Sequence, residues 1–323
     1  MKRLGWVVLL CGLLGAGCFS RMVSMPGESY VGPAATPDAA LEASLKADVT
    51  QLATGIGERN LMNRPESLER SAEWLSQRLT ALGYVVKEEP YRVGERTVKN
   101  LIVEKAGNAE VIVIGAHYDS AEGTPGADDN ASGVAVNLAL AEYALKHRTT
   151  RTVRFVFFTN EEPPWFRTAS MGSEVNAKAA RARGDDVKAM LSLETMGYFA
   201  DAPGSQHYPF PFSIAYPSTG NFIAFVGDSE SRELARECVR VFREQGKVPS
   251  EGAALPASVK GADWSDHGPF WRQGYRAVMV TDTAVFRNPH YHEPTDVPER
   301  VDFRRLALVT EGLFGVVEAL ANP

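Results

Sequence analysis

The sequence predicts an α/β fold, a three-layer sandwich in which helices cover both faces of a mixed, mostly parallel central sheet. Two apolar runs, residues 111–116 and 153–158, have the length and the β-branched and aromatic content of buried strands. Between them, apolar residues recur at helical spacing from Val134 to Leu145, just after Asn130, a good helix-capping type. Strand, helix and strand in this order predict a right-handed parallel crossover.

The other elements alternate along the chain in the same way. Polar alternation at 84–91 and 97–104 predicts strands nearer an edge of the sheet. The remaining predicted elements are helices at 39–56, 65–82, 229–244 and 303–320, and strands at 189–193, 222–227 and 277–280. A long stretch at 201–219 is rich in proline and aromatic residues, and we expect it to form a pocket wall.

The N-terminus carries an export signal. Lys2 and Arg3 precede an apolar stretch, 4–14, that is too short to span a membrane, and small residues follow it. Small residues before Cys18 resemble the bacterial lipoprotein cleavage motif, which would make Cys18 the lipidated first residue. The alternative is an ordinary signal peptide cleaved nearby. We therefore expect an exported protein, lipid-anchored and facing the periplasm or the exterior, or otherwise secreted.

The sequence divides into three parts. Residues 1–17 are the predicted signal peptide, and residues 18–36, dominated by Gly, Pro, Ser and Ala, are predicted to be a flexible tether. Residues 37–323 are predicted to form a single catalytic domain. Once Cys11 leaves with the signal and Cys18 is lipidated, the only remaining cysteine is Cys238, so no intramolecular disulfide is expected.

The charge pattern excludes a nucleic-acid partner. The formal net charge is −6, and no basic patch interleaved with aromatic residues is present. Beyond the signal, the sequence contains no transmembrane stretch and no internal repeat. We expect membrane contact only through the anchor at Cys18, and a monomer.

Acidic residues follow the predicted strands at the edge where open α/β sheets bind their ligands. Glu161 and Glu162 close the run 153–160, His117 follows 111–116, and Glu194 follows 189–193. Burying a carboxylate costs several kcal/mol, so the glutamate pair is either solvated at a loop or neutralised by a cation.

Two loops add further candidates for the same edge. Asp128 and Asp129 lie in the loop before the crossover helix, and His292 lies in a proline-rich loop after 277–280. Each motif alone is ordinarily a turn, a solvated pair or a surface histidine, but their joint position at strand ends predicts a metal site. Nitrogen and carboxylate ligands without cysteine suit zinc, and manganese or cobalt less well.

A second constellation, Ser265-Asp266-His267, has the residue types of a catalytic triad. Proximity in sequence does not make a triad, since the geometry decides. We expect this segment to begin a short helix, with Asp266 or His267 behind the metal ligands.

The full set of motifs resembles the di-zinc aminopeptidases, a zinc peptidase family that also contains glutamate carboxypeptidase and the glutaminyl cyclases. The resemblance runs from about Lys99 to the C-terminus, and it rests on His117-x-Asp119, 125–133, Asn160-Glu161-Glu162, Glu194 and Tyr291-His292-x-x-x-Asp296.

The resemblance implies a role for each matched residue, and two zinc ions. The implied ligands are His117 and Glu194 for one ion, Glu162 and His292 for the other, and Asp129 as the bridge. Glu161 would be the general base that takes a proton from the water activated by the metals. Asp119 would fix the His117 tautomer from behind, and Tyr291 would steady the tetrahedral intermediate, as in some family members.

Two features depart from the family pattern. Glu194 occupies a position where many di-zinc aminopeptidases have aspartate, and the longer side chain is expected still to reach a metal. An aromatic insertion, 163–173, follows Glu162 and is expected to shape the substrate pocket.

Three functions remain open from the sequence. The first is an exopeptidase acting on peptides, most simply an aminopeptidase, with a carboxypeptidase of the same family as a variant. The second is a glutaminyl cyclase-type acyltransferase with one zinc; His117 in an intact His-x-Asp motif favours two metals instead. The third is an inactive interaction module, which is disfavoured because neither the ligands nor Glu161 is missing.

Overall fold

One eight-stranded sheet forms the centre of the computed structural model, which describes residues 17–323. The strands lie in the order β1-β2-β4-β3-β5-β8-β6-β7. Their bounds are β1 Lys87–Val93, β2 Arg96–Lys105, β3 Asn108–His117, β4 Arg151–Phe158, β5 Asp186–Glu194, β6 Ile223–Gly227, β7 Ser250–Ala254 and β8 Ala277–Thr281. The four central strands, β4, β3, β5 and β8, are mutually parallel, so their carboxyl ends share one edge.

Helices cover both faces of this sheet. The first described helix, α1, comprises 17–23, and the others are α2 Ala39–Thr50, α3 Pro65–Leu82, α4 Gly133–Lys146, α5 Gly172–Arg183, α6 Arg232–Gln245, α7 His267–Arg272 and α8 Phe303–Ala321. Helices α2, α3, α4, α6 and α8 share a hydrophobic core with one face, and α5 and α7 pack on the other. The predicted α/β class, with a mixed sheet between two helical layers, is confirmed.

The central strands are apolar throughout because both of their faces are buried. In β4, Phe155 and Phe157 point into the larger core, whereas Val156 and Phe158 point into the core beneath α5 and α7. The parallel β3–α4–β4 connection of the predicted crossover is also confirmed, since β3 and β4 are adjacent and parallel and α4 connects them.

Two elements had no sequence prediction. Strand β7 has the sequence Ser-Glu-Gly-Ala-Ala, which lacks the β-branched residues that signal a strand. Its Gly252 allows close packing, since a Cβ there would meet Val239 and Met25 at 2.8 and 2.9 Å. Helix α5 buries mainly small residues such as Ala177 and Ala180, so its apolar face is weak in the sequence.

The segment 18–36, predicted to be a flexible tether, lies against the domain. Its carbonyl oxygens accept hydrogen bonds from arginines of α6, and Ser29 Oγ accepts one from the Ser250 N–H at 2.8 Å. The predicted signal peptide, apart from Gly17, lies outside the described residues. Across 17–323, every helix is too short or too polar to cross a lipid bilayer.

Two glycines of α8 face α6, and they predict opposite effects of the same substitution. A Cβ on Gly312 would lie 2.5 Å from the buried Phe242 ring, whereas one on Gly315 would meet only the side-chain amide of exposed Gln245. Alanine favours helix over glycine by up to about 1 kcal/mol, but overpacking a core costs roughly 1–3 kcal/mol.

We therefore expect Gly312→Ala to lower the free energy of unfolding by about 1–2 kcal/mol. The matched variant Gly315→Ala should be neutral or stabilising, because Gln245 can swing into solvent. Chemical denaturation of both variants measures this difference, and equal effects would contradict the close packing of Gly312 on Phe242.

Candidate metal centre

Six polar side chains converge at the carboxyl edge of the central strands. His117 is the last residue of β3 and Glu194 the last of β5, so the strand ends themselves position these two side chains. The others come from loops that leave the same edge: Asp129 before α4, Glu161 and Glu162 after β4, and His292 after β8. The structure thus brings together all the residues to which the resemblance gives a ligand or base role.

The side chains form two groups of three that share one aspartate. In the first, His117 Nε2 lies 3.3 Å from Asp129 Oδ1 and 3.4 Å from Glu194 Oε2. In the second, His292 Nε2 lies 3.0 Å from Asp129 Oδ2 and 3.1 Å from Glu162 Oε2. Within each group the potential ligand atoms lie within 4.8 Å of one another, and Asp129 turns a different oxygen toward each.

Several of these atoms are buried without a hydrogen-bond partner. They are His117 Nε2, Asp129 Oδ1, Glu162 Oε1 and His292 Nε2. Buried polar atoms are nearly always paired, and leaving them unpaired costs free energy. Unpaired nitrogen and oxygen atoms that face common points are the arrangement a cation satisfies, and imidazole with carboxylate is a donor set that zinc accepts. The residues present therefore fit zinc.

The pKa values show how strongly this site needs positive charge. Burial raises the pKa of Glu161 well above its ordinary value, and burial followed by the charge of Asp129 raises the pKa of Glu162 to about 8. Burial alone would lower the pKa of His292, but the facing carboxylates of Asp129 and Glu162 raise it to about 11. Without a cation, the cluster binds protons; metal binding would displace them.

Glu161 belongs to neither group of three. Its Oε2 lies 3.9 Å from His117 Nε2, so its carboxylate borders the first group. The chain turns at Asn160, whose φ of 58° lies in the left-handed region that asparagine tolerates. After this turn, Glu162 faces His292 and Glu161 is left free, which is the position a general base requires.

Asp119 contacts more of the site than the resemblance implies. Its Oδ1 lies 3.6 Å from His117 Nδ1, and its backbone oxygen lies 3.3 Å from the same nitrogen. Its carboxylate also accepts the backbone N–H groups of Glu161 at 3.2 Å and Glu162 at 3.1 Å. Asp119 therefore orients the histidine and the glutamate pair together.

A buried arginine beneath the site was missed by the sequence analysis. The Arg59 guanidinium donates to the carbonyl oxygens of Tyr118 at 2.7 Å, Pro125 at 2.5 Å and Gly126 at 2.9 Å. It thereby ties the chain after His117 to the loop that carries Asp129. Burial lowers its pKa to about 10, so it stays charged at neutral pH. Its polar sequence surroundings are those of an ordinary surface loop.

Asp129, which both groups share, is held from behind by Asp296, the last residue of the C-terminal motif. Asp296 accepts the N–H groups of Asp128 at 2.9 Å and Asp129 at 3.1 Å. Asp128 is not part of either group of three; its carboxylate accepts hydrogen bonds from the Gly197 N–H and the Asn288 side chain, both at 2.8 Å. Asp128 thus joins loops around the site.

The Ser265-Asp266-His267 segment is not a triad. The Ser265 hydroxyl donates to Glu194 Oε2 at 2.6 Å, and His267 Nε2 lies 2.7 Å from the Ala262 carbonyl oxygen. Burial lowers the pKa of His267 to about 4, which keeps it neutral. Asp266 is buried at the start of α7, and the residue of this segment that hydrogen-bonds a predicted ligand is Ser265.

An apolar cavity opens beside the site. Glu194 and Tyr291 are among the residues that line it, and the Tyr291 ring stacks on His292 with 3.9 Å between centroids. The loop 201–219 supplies one wall through Tyr208, Phe212 and Tyr216, which confirms the predicted pocket wall.

The insertion at 163–173 does not line this cavity, contrary to expectation. Arg167 instead forms an ion pair with Asp263, beside the cavity residue Trp264. The insertion therefore supports the cavity wall from outside. The sequence predicted an insertion that shapes the substrate pocket, but the direction of the segment depends on this long-range ion pair.

The chain is similar in sequence to known peptidases. The model of peptidase family M28 matches residues 100–317. Protein YfbL of Escherichia coli is 35% identical over 86% of this chain and 88% of its own length. A probable leucine aminopeptidase of Arthroderma otae is 29% identical over 69% of this chain and 56% of its own length. The chain belongs to peptidase family M28.

Solved structures share the fold of this M28 peptidase. BSAP, a zinc aminopeptidase from Bacillus subtilis, has a TM-score of 0.67 at 14% identity, covering 87% of this chain and 95% of its own. A glutaminyl cyclase from Fimbriiglobus ruber has a TM-score of 0.63 at 18% identity, covering 91% of this chain and 99% of its own. At such low identity the likeness establishes the fold alone.

The hydrogen bond from Ser265 predicts that this serine tunes metal binding through Glu194. Ser265→Ala should weaken zinc binding about 10- to 100-fold, the usual effect of losing a contact to a ligand. Ser71→Ala removes an equally buried serine that bonds only the Ser67 carbonyl oxygen in α3, so it should leave zinc affinity unchanged. Competition with a chromophoric chelator measures both affinities; unchanged affinity in Ser265→Ala would contradict the role.

Proposed function

We propose that this M28 peptidase is a zinc-dependent aminopeptidase with two metal sites, which removes N-terminal residues from peptides. The observation that carries the proposal is the pair of three-residue groups that share Asp129, one oxygen to each. His117 and Glu194 would hold one ion, and Glu162 and His292 the other. A bridging carboxylate between two sites is the arrangement of two-metal hydrolases.

The chemistry is divided between the ions and Glu161. Bound zinc would act as a Lewis acid that lowers the pKa of water toward neutrality. Glu161, buried and outside both groups, would accept the proton from the attacking water and return it to the leaving amine. Its position, 3.9 Å from His117 Nε2 and outside both groups, leaves its carboxylate free for this proton transfer.

The cavity supports a substrate with an apolar side chain. It is lined by Glu194 and Tyr291 and walled by aromatic and aliphatic residues, including Phe212, Phe222 and Trp264. A side chain bound there would hold the adjoining peptide bond beside the metal groups. The name leucine aminopeptidase, carried by a relative, agrees with an apolar residue at this position.

A glutaminyl cyclase-type acyltransferase is the second candidate. The fold shared with a solved glutaminyl cyclase favours it. The intact group of His117, Asp129 and Glu194 favours two metals and hence the peptidase, because the cyclase reaction is expected to need a single zinc. A carboxypeptidase of the same family is a further variant, since Glu194 replaces the aspartate of many aminopeptidases.

We also propose export with lipid attachment at Cys18. The support is the sequence: Lys2 and Arg3, the apolar stretch 4–14, and small residues before the cysteine. Cys18 is exposed in the structure, as an attachment point requires. The substrates would then be peptides outside the cytoplasm.

A panel of small substrates tests the proposed activity. We expect hydrolysis of leucyl and phenylalanyl p-nitroanilides and of free-amine dipeptides, and no hydrolysis when the same peptides are N-acetylated. Preferred cleavage of the N-acetylated peptides at their C-terminal residue would identify a carboxypeptidase. Cyclisation of N-terminal glutamine without hydrolysis would identify the acyltransferase.

The adjacent glutamates offer a matched pair of variants. Glu161→Gln should retain about two zinc ions per chain and lose roughly 10²–10⁴-fold in kcat, because the amide keeps the shape but cannot accept a proton. Glu162→Gln should lose part of the zinc, since its carboxylate faces His292 and Asp129. Elemental analysis and kinetics on the same preparations measure both; zinc loss in Glu161→Gln alone would reverse the assignment.

A further inference from the structure

Two large apolar side chains project into solvent from the loop that walls the cavity. Phe210 is 86% exposed and Ile214 is 75% exposed. They flank Phe212, which is buried and lines the cavity. Exposed apolar side chains do not gain the favourable free energy of burial, and neighbouring exposed apolar residues commonly mark an interaction surface.

The first described helix packs at the same place. In α1, the Phe19 ring lies 5.7 Å from the Phe212 ring, centroid to centroid. Met22 and Val23 of α1 belong to the same cluster, which also includes aromatic residues of the cavity wall. Exposed Cys18 adjoins Phe19, so it lies within a few residues of the Phe19–Phe212 contact, as do Phe210 and Ile214.

Polar contacts hold α1 and the residue that follows it in this position. Arg232 Nε donates to the Arg21 carbonyl oxygen at 3.0 Å, and an Arg236 guanidinium N–H donates to that of Ser24 at 2.6 Å. Both arginines extend from α6, which packs on the sheet. The N-terminal segment therefore enters the domain at a fixed point beside the cavity loop.

We propose that Phe210, Ile214 and the exposed side of α1 form one membrane-docking face, whose partner is a lipid bilayer surface. We infer a bilayer as the partner from the sequence that precedes α1. Residues 1–16, which the structure does not describe, contain the apolar export stretch 4–14. With lipid attached at Cys18, the membrane attachment reaches the domain at this face.

The proposal extends beyond the peptidase activity, because it places the active site close to the membrane surface. A lipid at Cys18 would hold the chain at the bilayer but would leave the orientation of the domain free. Aromatic and aliphatic side chains that enter the membrane interface would fix that orientation. Since Phe212, Tyr208 and Tyr216 of the same loop line the cavity, its wall would lie close to the lipid surface.

Residue-specific labelling of the full chain tests the face. Phe210→Cys and Val85→Cys would each carry an environment-sensitive fluorophore, in full-length protein reconstituted into phosphatidylethanolamine–phosphatidylglycerol vesicles. Val85 is a matched control: it is 82% exposed and precedes β1, at the opposite edge of the sheet from β7. We expect a blue shift and quenching by spin-labelled lipid at position 210 only. Equal signals at the two positions would overturn the proposal.

Vesicle flotation of residues 18–323 with Cys18→Ser measures how strongly the proposed face binds a bilayer when no lipid is attached to the protein. These residues contain the whole sheet and every helix that packs on it. Phe210→Ser with Ile214→Ser should lower the partition coefficient by on the order of tenfold per side chain, whereas Met62→Ser with Val85→Ser should not. Turnover of small soluble substrates should be the same in all variants, so the result does not depend on the peptidase assignment.

Two kinds of result would overturn the proposal. One is flotation without specific binding, that is, either no binding to vesicles or an equal loss in the control variant. The other is a concentration-dependent dimer, seen by sedimentation and abolished by Phe210→Ser with Ile214→Ser, in a protein that does not bind vesicles; the face would then belong to a second copy of the chain.

Discussion

The burial of several carboxylates at one sheet edge is the constraint that organises this structure. Asp119, Asp129, Glu161, Glu162 and Glu194 are all buried there. Their mutual repulsion and their desolvation oppose folding, so each must meet positive charge or hydrogen-bond donors. The protein provides a fully buried arginine, backbone N–H groups and two histidines, and it leaves the remaining deficit to a cation. Metal binding should consequently be coupled to stability as well as to catalysis.

The sheet topology and the contacts between loops fix the positions of these side chains. Because the four central strands are parallel, their carboxyl ends deliver ligands from four separate segments to one place. The loops then lock to one another: Asp119 holds the backbone of Glu161 and Glu162, and Asp296 holds that of Asp129. The backbones of Glu162 and Asp129 are thus positioned by carboxylates from other segments, so some of the acids whose burial opposes folding also align the site.

Features that depend on local residue order could be predicted from the sequence, whereas contacts between distant segments could not. The strands, the crossover and the ligand motifs carry periodicity or characteristic residue order, so they could be predicted residue by residue. Arg59 and Ser265 could not, since each acts through contacts with residues 59 to 71 positions away in the chain. The tether prediction rested on composition, and composition does not register that arginines of α6 capture the carbonyl oxygens of 21–27.

One loop connects substrate binding to the N-terminal attachment. Phe212 touches both the cavity and Phe19, while its neighbours Phe210 and Ile214 face outward. A change in how α1 is seated would therefore act on the cavity wall through this aromatic contact, without passing through the metal groups. The loop makes few backbone hydrogen bonds to the sheet, so its position is set mainly by side-chain packing. The same cluster of side chains therefore links the N-terminal attachment to the shape of the apolar cavity.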